Sequence, residues 1–403
     1  MSLMRLLTRG YFAAYTAGNC LSLLGTWMQR IACSLVVWDM THSTAWLGIL
    51  AAADLLPTVI VGPFGGAAAD RWDVLRLNKL CQLVLAVIAT LIAALIYVDL
   101  LTLVSLVAVI AVQGCIIALG QPARMTIVQE LVGRDDVPSA VAINSINVNL
   151  ARLLGPALAG LLVVQFEVVW VFLLNAAATA VFVFILHRIP TPAQTTKRVA
   201  SRNFLLEIVD GFRYVASDTG MRCMLLLLLA GGVFIRAVAE MLPAFAATFS
   251  SQTATGLAIF TSSMAFGSIL AGLTMNLYLL ANRLPFQVTL AWLFSSCAAI
   301  AFVLNGSIWT MAICAMLMGY LSSVGLIATQ TFIQLGTPPA LRGRALSVHG
   351  LIFRASPSLG ALALGFASEV FGLTLPVIAS AAMMIAVALL FLPLTLRLGL
   401  PRG

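Results

Sequence analysis

Six ionisable side chains interrupt long apolar runs in the chain: Arg30, Asp54, Arg152, Arg236, Glu240 and Arg354. A charge held in hydrocarbon costs roughly 2.5–3.5 kcal/mol on insertion scales, so such residues are by default functional. The chemistry within their reach is ion pairing, attraction of a charged solute and proton transfer. Asp54 and Glu240 are the proton-coupling candidates, because burial favours the protonated carboxyl and a neighbouring arginine favours the ionised one. Arg30 lies about eight residues from the end of its run and Asp54 about nine residues into the next, so the two sit at similar depth and can pair. Arg236 and Glu240, four apart, can pair along one helical face. Either pair could equally be a fixed lock between helices. Arg152, with Ser145 and Asn149 on its face, and Arg354, near His349, have no acid in obvious reach and are assigned to substrate or helix gating. Four arginines against two acids favour an anionic or carboxylate-bearing solute.

Composition dictates the elements that carry these residues. Of 403 residues 62% are hydrophobic and 9% charged, with a mean hydropathy of +1.07. A soluble domain carries roughly 25% charged residues, so an aqueous surface cannot be built from this inventory. Apolar runs fall near 12–38, 45–69, 78–98, 101–121, 139–165, 168–187, 222–249, 255–280, 286–305, 308–334, 345–371 and 374–397. About 20 helical residues cross a hydrocarbon core, and backbone in lipid must satisfy its own hydrogen bonds. The expected fold is therefore an all-α membrane protein of about twelve transmembrane helices. A β-barrel is excluded, since its strands alternate in short segments. The first run follows Arg5 and Arg9, but it is too long for a signal-peptide core and lacks a small-residue cleavage site, so it is read as a retained span.

A net charge of +8 invites a nucleic-acid partner, and its distribution rejects one. Eighteen of the 22 basic residues fall in the terminal segments and alternate connections, among them Arg71, Arg76, Arg134, Arg188, Arg213, Arg283, Arg342 and Arg344. The opposite connections hold only Asp39, Asp99, Glu167 and Glu369. By the positive-inside rule both termini are cytoplasmic. The one long connection, 188–221, is polar and basic, with six runs before it and six after. The expected organisation is a six-helix bundle at 1–187, a cytoplasmic linker at 188–221 and a second bundle at 222–403. Within the linker Phe204, Ile208, Phe212 and Val215 recur at helical spacing, which predicts a short helix over 203–217 lying on the inner membrane surface. The halves resemble each other weakly: Gln129, Pro138 and Arg152 recur as Gln334, Pro339 and Arg354, just over 200 residues on. Parallel six-span repeats place a substrate site between two bundles near mid-membrane. The seven cysteines lie in or at the edges of apolar runs with no C-x-x-C, and read as small core residues. No zinc, nucleotide or nucleophile motif occurs, so neither a metal, a cofactor nor an enzymatic activity is expected.

After the second run the chain reads Gly62-Pro63-Phe64-Gly65-Gly66-Ala67-Ala68-Ala69-Asp70-Arg71-Trp72-Asp73, then Arg76. Small residues let helices approach closely, and an acid–base pair at the membrane edge can bond a neighbouring helix end in one conformation and release it in another. Gly66, Asp70, Arg71 and, one place along, Arg76 resemble the loop motif G-x-x-x-D-R-x-G-R-[KR] of the major facilitator superfamily. Asp73 stands where that family usually has Gly, so the turn is made differently. The corresponding stretch near 272–282 lacks the Asp-Arg pair. The fifth run, with Gly155, Pro156 and Gly160, resembles the antiporter motif G-x-x-x-G-P-x-x-G-G of exporters in the superfamily, Ala151 and Ala159 replacing glycines. With Gly25 to Arg30, Leu242-Pro243 and Leu341 to Ser347, the pattern is similar to an exporter branch that includes enterobactin exporters and macrolide efflux pumps. The resemblance implies two six-helix bundles with the first, fourth, seventh and tenth spans facing a central cavity, where Gln29, Gln113, Phe234 and Gln330 are further candidates. It also implies a monomeric exporter of a drug- or siderophore-like small molecule in a bacterial cytoplasmic membrane, exchanging it for protons. Uptake or lipid flipping on the same fold is the alternative. A non-transporting receptor would need a signalling domain that the sequence does not show.

Overall fold

The computed structural model describes residues 6, 10–190, 212–278 and 283–398. Among the described residues there is no strand, and twelve helices are long and apolar enough to cross a membrane. They are α1 (Gly10–Thr41), α2 (Thr44–Arg71), α3 (Val74–Tyr97), α4 (Leu103–Glu130), α5 (Val137–Gln165), α6 (Val169–Arg188), α7 (Thr219–Phe249), α8 (Thr253–Tyr278), α9 (Leu284–Leu304), α10 (Ile308–Gly336), α11 (Pro339–Phe371) and α12 (Thr374–Arg397). Leu161, Phe184, Trp309 and Leu390 are exposed on their surfaces, a solvation only hydrocarbon provides at such density.

The connections are short and chemically specified. Asp73 caps α3, its carboxylate accepting the Arg76 N–H at 2.9 Å. That is how the turn is closed without the glycine the motif leads one to expect. Thr102 and Ser105 form a reciprocal capping box at the start of α4. Gly372, between α11 and α12, takes φ 75°, the left-handed conformation that glycine adopts without steric cost.

The chain divides into two compact units, one of residues 1–40 and 53–201, the other of 41–52 and 202–403. In the first unit α3 packs on α4 and α6; in the second α9 packs on α10 and α12. The same helix pairings thus recur six helices later, which is the internal repetition hinted at by the sequence. The first turns of α2, through Ala52, belong to the second unit. There Glu369 of α11 accepts from Ser43 Oγ at 2.8 Å, Thr44 Oγ1 at 3.2 Å and the Ala45 N–H at 3.3 Å, holding a carboxylate against the α2 N-terminus.

Two expectations need correction. Gly62 to Arg71 does not form a loop: α2 runs through it, with Ala67, Ala68 and Ala69 carrying the helix past the Gly65-Gly66 pair to the Trp72–Asp73 turn that ends it. The seventh span is not one continuous α-helix. It is α-helical over Thr219–Phe234 and Leu242–Phe249, with a 3₁₀ segment Arg236–Met241 between. Arg236 and Glu240 both lie in that segment, where the turn is tighter and residues three apart share a face. Of the expected surface helix, 203–211 lie outside the described residues and 212–217 are helical. Arg5, Arg9, Lys197, Arg198, Arg202 and Arg402 are also outside them, as are residues 279–282 of the second-half motif.

Candidate functional site

In the first unit α1, α2 and α5 bring three of the six ionisable residues together, two of them arginines over one indole. Arg30 Nη1 lies 3.4 Å from Asp54 Oδ2, the pairing that equal depth predicts. The two side chains keep 32% and 20% of their surface exposed, so the pair is reachable rather than sealed. The Arg30 guanidinium stands 5.6 Å from the Trp27 ring centroid and that of Arg152 stands 5.1 Å from it. Two cations therefore share one aromatic ring, each within cation–π range. Arg152 Nε is buried without a hydrogen-bond partner.

Close backbone approaches set these positions. A Cβ on Gly155 would lie 2.6 Å from Trp27 Cβ, so α5 can rest on α1 there only through a glycine. One on Gly114 would lie 2.7 Å from the Asp54 carbonyl oxygen, which seats α4 on α2 at the depth of the carboxylate. Pro156 lies inside α5 and has no N–H for the carbonyl four residues back, which is that of Arg152. Glycine and proline of the antiporter-like motif thus act on the residues that carry the charge; Gly160 is buried on the same helix.

Gln29 and Gln113, candidates for the cavity, are buried. Gln29 Nε2 donates to Gln113 Oε1 and Asn175 Nδ2 donates to Gln29 Oε1, both at 2.6 Å, tying α1, α4 and α6 together. Asn149 Nδ2 donates to the Ser145 carbonyl at 2.9 Å and Ser145 Oγ to that of Val141 at 3.0 Å, so both amide and hydroxyl bond back to α5. Within the motif after the second span, Gly65 is the closely packed glycine, a Cβ there falling 2.5 Å from the Ala118 carbonyl, whereas Gly66 has open space around it. Arg71 is exposed at the end of α2, and Arg76 faces Asp73 at 3.9 Å. The Asp70 side chain is outside the described set.

In the second unit the equivalent helices, α7 and α11, repeat the theme with other residues. Arg236 Nη1 donates to the Phe353 carbonyl at 2.8 Å, and its guanidinium lies 4.3 Å from the Phe353 ring centroid. That carbonyl is released by Pro357, which cannot supply the N–H that an α-helix would direct to it. His349 stacks on the same ring with centroids 6.4 Å apart, its Nε2 buried without a partner. Arg354 is exposed on α11, Gln330 is exposed on α10, and Phe234 is partly buried, its carbonyl accepting from Ser380 Oγ at 2.7 Å. Phe234, Leu364, Phe371, Pro376 and Met383 border a 470 Å³ cleft with no ionisable group in its lining. All seven cysteines are free thiols, and among the described residues no cluster of three metal-ligating side chains occurs.

Twelve spans in two repeated units, with charge held in mid-helix, are the architecture of a secondary transporter of the major facilitator type. Residues 2–400 match the family model for transmembrane secretion effectors, and the chain belongs to that family. Among curated relatives, the staphyloferrin A transporter of Staphylococcus aureus is 26% identical over 365 residues, 89% of this chain and 90% of its own. An enterobactin exporter of Shigella boydii is 27% identical, covering 87% of this chain and 83% of its own. The crystal structure of the nucleoside transporter NupG superposes with a TM-score of 0.80 at 15% identity, covering 97% of this chain and all of that one. A bacterial homologue of the lysosomal transporter Spinster gives 0.74 at 17%, covering 97% and 98%. At these identities the two structures speak for the fold alone.

Proposed function

We propose that the protein exports a small amphipathic or anionic organic molecule, of the siderophore or drug kind, across a bacterial cytoplasmic membrane in exchange for protons. The observation that carries this reading is the Arg30–Asp54 pair: mid-span and partly exposed, beside Arg152, which among the described residues forms no ion pair. A carboxylate so placed changes its proton affinity whenever the arginine moves, which is the elementary requirement for coupling a proton to a conformational cycle. Glu240, in the 3₁₀ break of α7, is the second candidate carrier. The relatives named as a staphyloferrin A transporter and an enterobactin exporter support the substrate class, and the latter supports the outward direction. In this reading bundles 1–187 and 222–403 work as a monomer around the cytoplasmic linker 188–221, with both termini inside.

The test is efflux from loaded cells before and after the proton gradient is collapsed. Loss of efflux is expected in the wild type, and Asp54→Asn or Glu240→Gln is expected to uncouple what remains. Efflux that continues unchanged after collapse removes the coupling, and accumulation in place of loss reverses the direction.

A further inference from the structure

We infer that Arg152, set against Trp27, is the anchor for a carboxylate group of the transported molecule. This rests on the transport reading above and names the chemistry that one subsite recognises. Three charged groups meet in this cluster: Arg30 on α1, Asp54 on α2 and Arg152 on α5. The acid is engaged by Arg30, and among the described residues Arg152 forms no ion pair. With Asp54 ionised the cluster therefore keeps one uncompensated positive charge in the middle of a transmembrane helix. Contact with an indole face offsets about 0.5–2 kcal/mol of the cost of such a charge, less than the roughly 2.5–3.5 kcal/mol it incurs. The structure sustains the difference at a position where Gly155 holds the ring and the guanidinium together.

The ligand that fits is a single carboxylate. A guanidinium presents parallel N–H donors that match the two oxygens of a carboxylate. Arg152 Nε is one such donor, buried and unused. One negative charge brings the cluster to neutrality. Asp54 is then the resident counter-ion, competing with the incoming carboxylate for the two guanidiniums.

The experiment uses the full-length protein in lipid nanodiscs with salicylate and indole-3-acetate as probes, each measured against its methyl ester. In the wild type the acids are expected to bind at least tenfold more tightly than the esters. Arg152→Met should bring the ratio to about one, Arg152→Lys should leave it intermediate, and Asp54→Asn should raise acid affinity. Arg213→Met, outside the spans, should leave the ratio unchanged. Equal binding of acid and ester by the wild type, failure to bind either, or an undiminished ratio in Arg152→Met overturns the proposal. Should Arg152→Met not give a monodisperse protein, Arg152→Lys with an unchanged ratio overturns it equally. Weaker acid binding in Asp54→Asn overturns the competition between the two carboxylates. A failure here with gradient-dependent efflux intact removes the carboxylate subsite and leaves proton-driven export standing.

Discussion

Gly155→Ala tests whether the α1–α5 contact holds the charged cluster in place. An alanine Cβ would sit 2.6 Å from Trp27 Cβ and 3.3 Å from the Met28 nitrogen. Carbon atoms rest about 3.5–4.0 Å apart, so α5 must retreat from α1 by about 1 Å or Trp27 must turn away. Overpacking of this kind costs typically about 1–3 kcal/mol. Since 1.36 kcal/mol is a factor of ten, the folded-to-unfolded ratio should fall about 5- to 150-fold. The same displacement moves the Trp27 ring from beneath Arg152 and Arg30, now 5.1 and 5.6 Å from its centroid. The assay pairs thermal unfolding in detergent with efflux in cells at matched expression. The expected result is a lower melting temperature together with a loss of transport larger than the loss of folded protein. A variant that melts and transports like the wild type would mean that Gly155 does not set the spacing, and the account of the cluster would fail with it.

Three further outcomes follow from the geometry. Gln29→Leu strands Gln113 Oε1 and Asn175 Nδ2 in a dry interior. Stability should drop by about 1–3 kcal/mol, and Gln29→Leu with Asn175→Leu should recover part of it, measured by denaturant unfolding in detergent; additive losses would contradict the shared network. Pro357→Ala returns an N–H to α11 that competes with Arg236 for the Phe353 carbonyl, so Pro357→Ala and Arg236→Met should be coupled by at least about 0.5 kcal/mol in a double-mutant cycle, and strict additivity would count against it. Glu369→Gln keeps an acceptor for Ser43 and Thr44 but removes the negative charge at the α2 N-terminus. A loss of about 0.3–1 kcal/mol, diminished at high salt, is expected in thermal unfolding, and a salt-independent effect would rule out the helix-terminus charge as its source.

Much of the architecture is legible in the residues because hydrocarbon is an exacting solvent. A helix must be both long and apolar to cross it, so the twelve runs in the sequence and the twelve helices correspond. Depth along a helix is also simple arithmetic, which is why the Arg30–Asp54 pairing could be expected from residue counts. Contacts that depend on rotation about the helix axis are less accessible. Whether Gly65 or Gly66 meets α4 turns on 100° of azimuth, and only the packed bundle decides it. The partners of Gln29 come from two other helices, with no spacing rule linking them. The 3₁₀ interruption of α7 had signals on either side, Gly231-Gly232 before it and Pro243 after, but none within Arg236–Met241 itself. The Phe353 carbonyl was foreshadowed by Pro357 four residues on, a relation that becomes informative once a donor such as Arg236 is found opposite.

The amide chain from Asn175 through Gln29 to Gln113 has a consequence for how the first unit responds to the two aqueous faces. Carboxamides do not titrate in water, and they carry no net charge for a membrane voltage to act on. The fastening between α1, α4 and α6 is therefore indifferent to the pH on either face and to the potential between them. Arg30, on the same helix as Gln29, is thereby mounted on a frame that neither acid nor voltage unfastens.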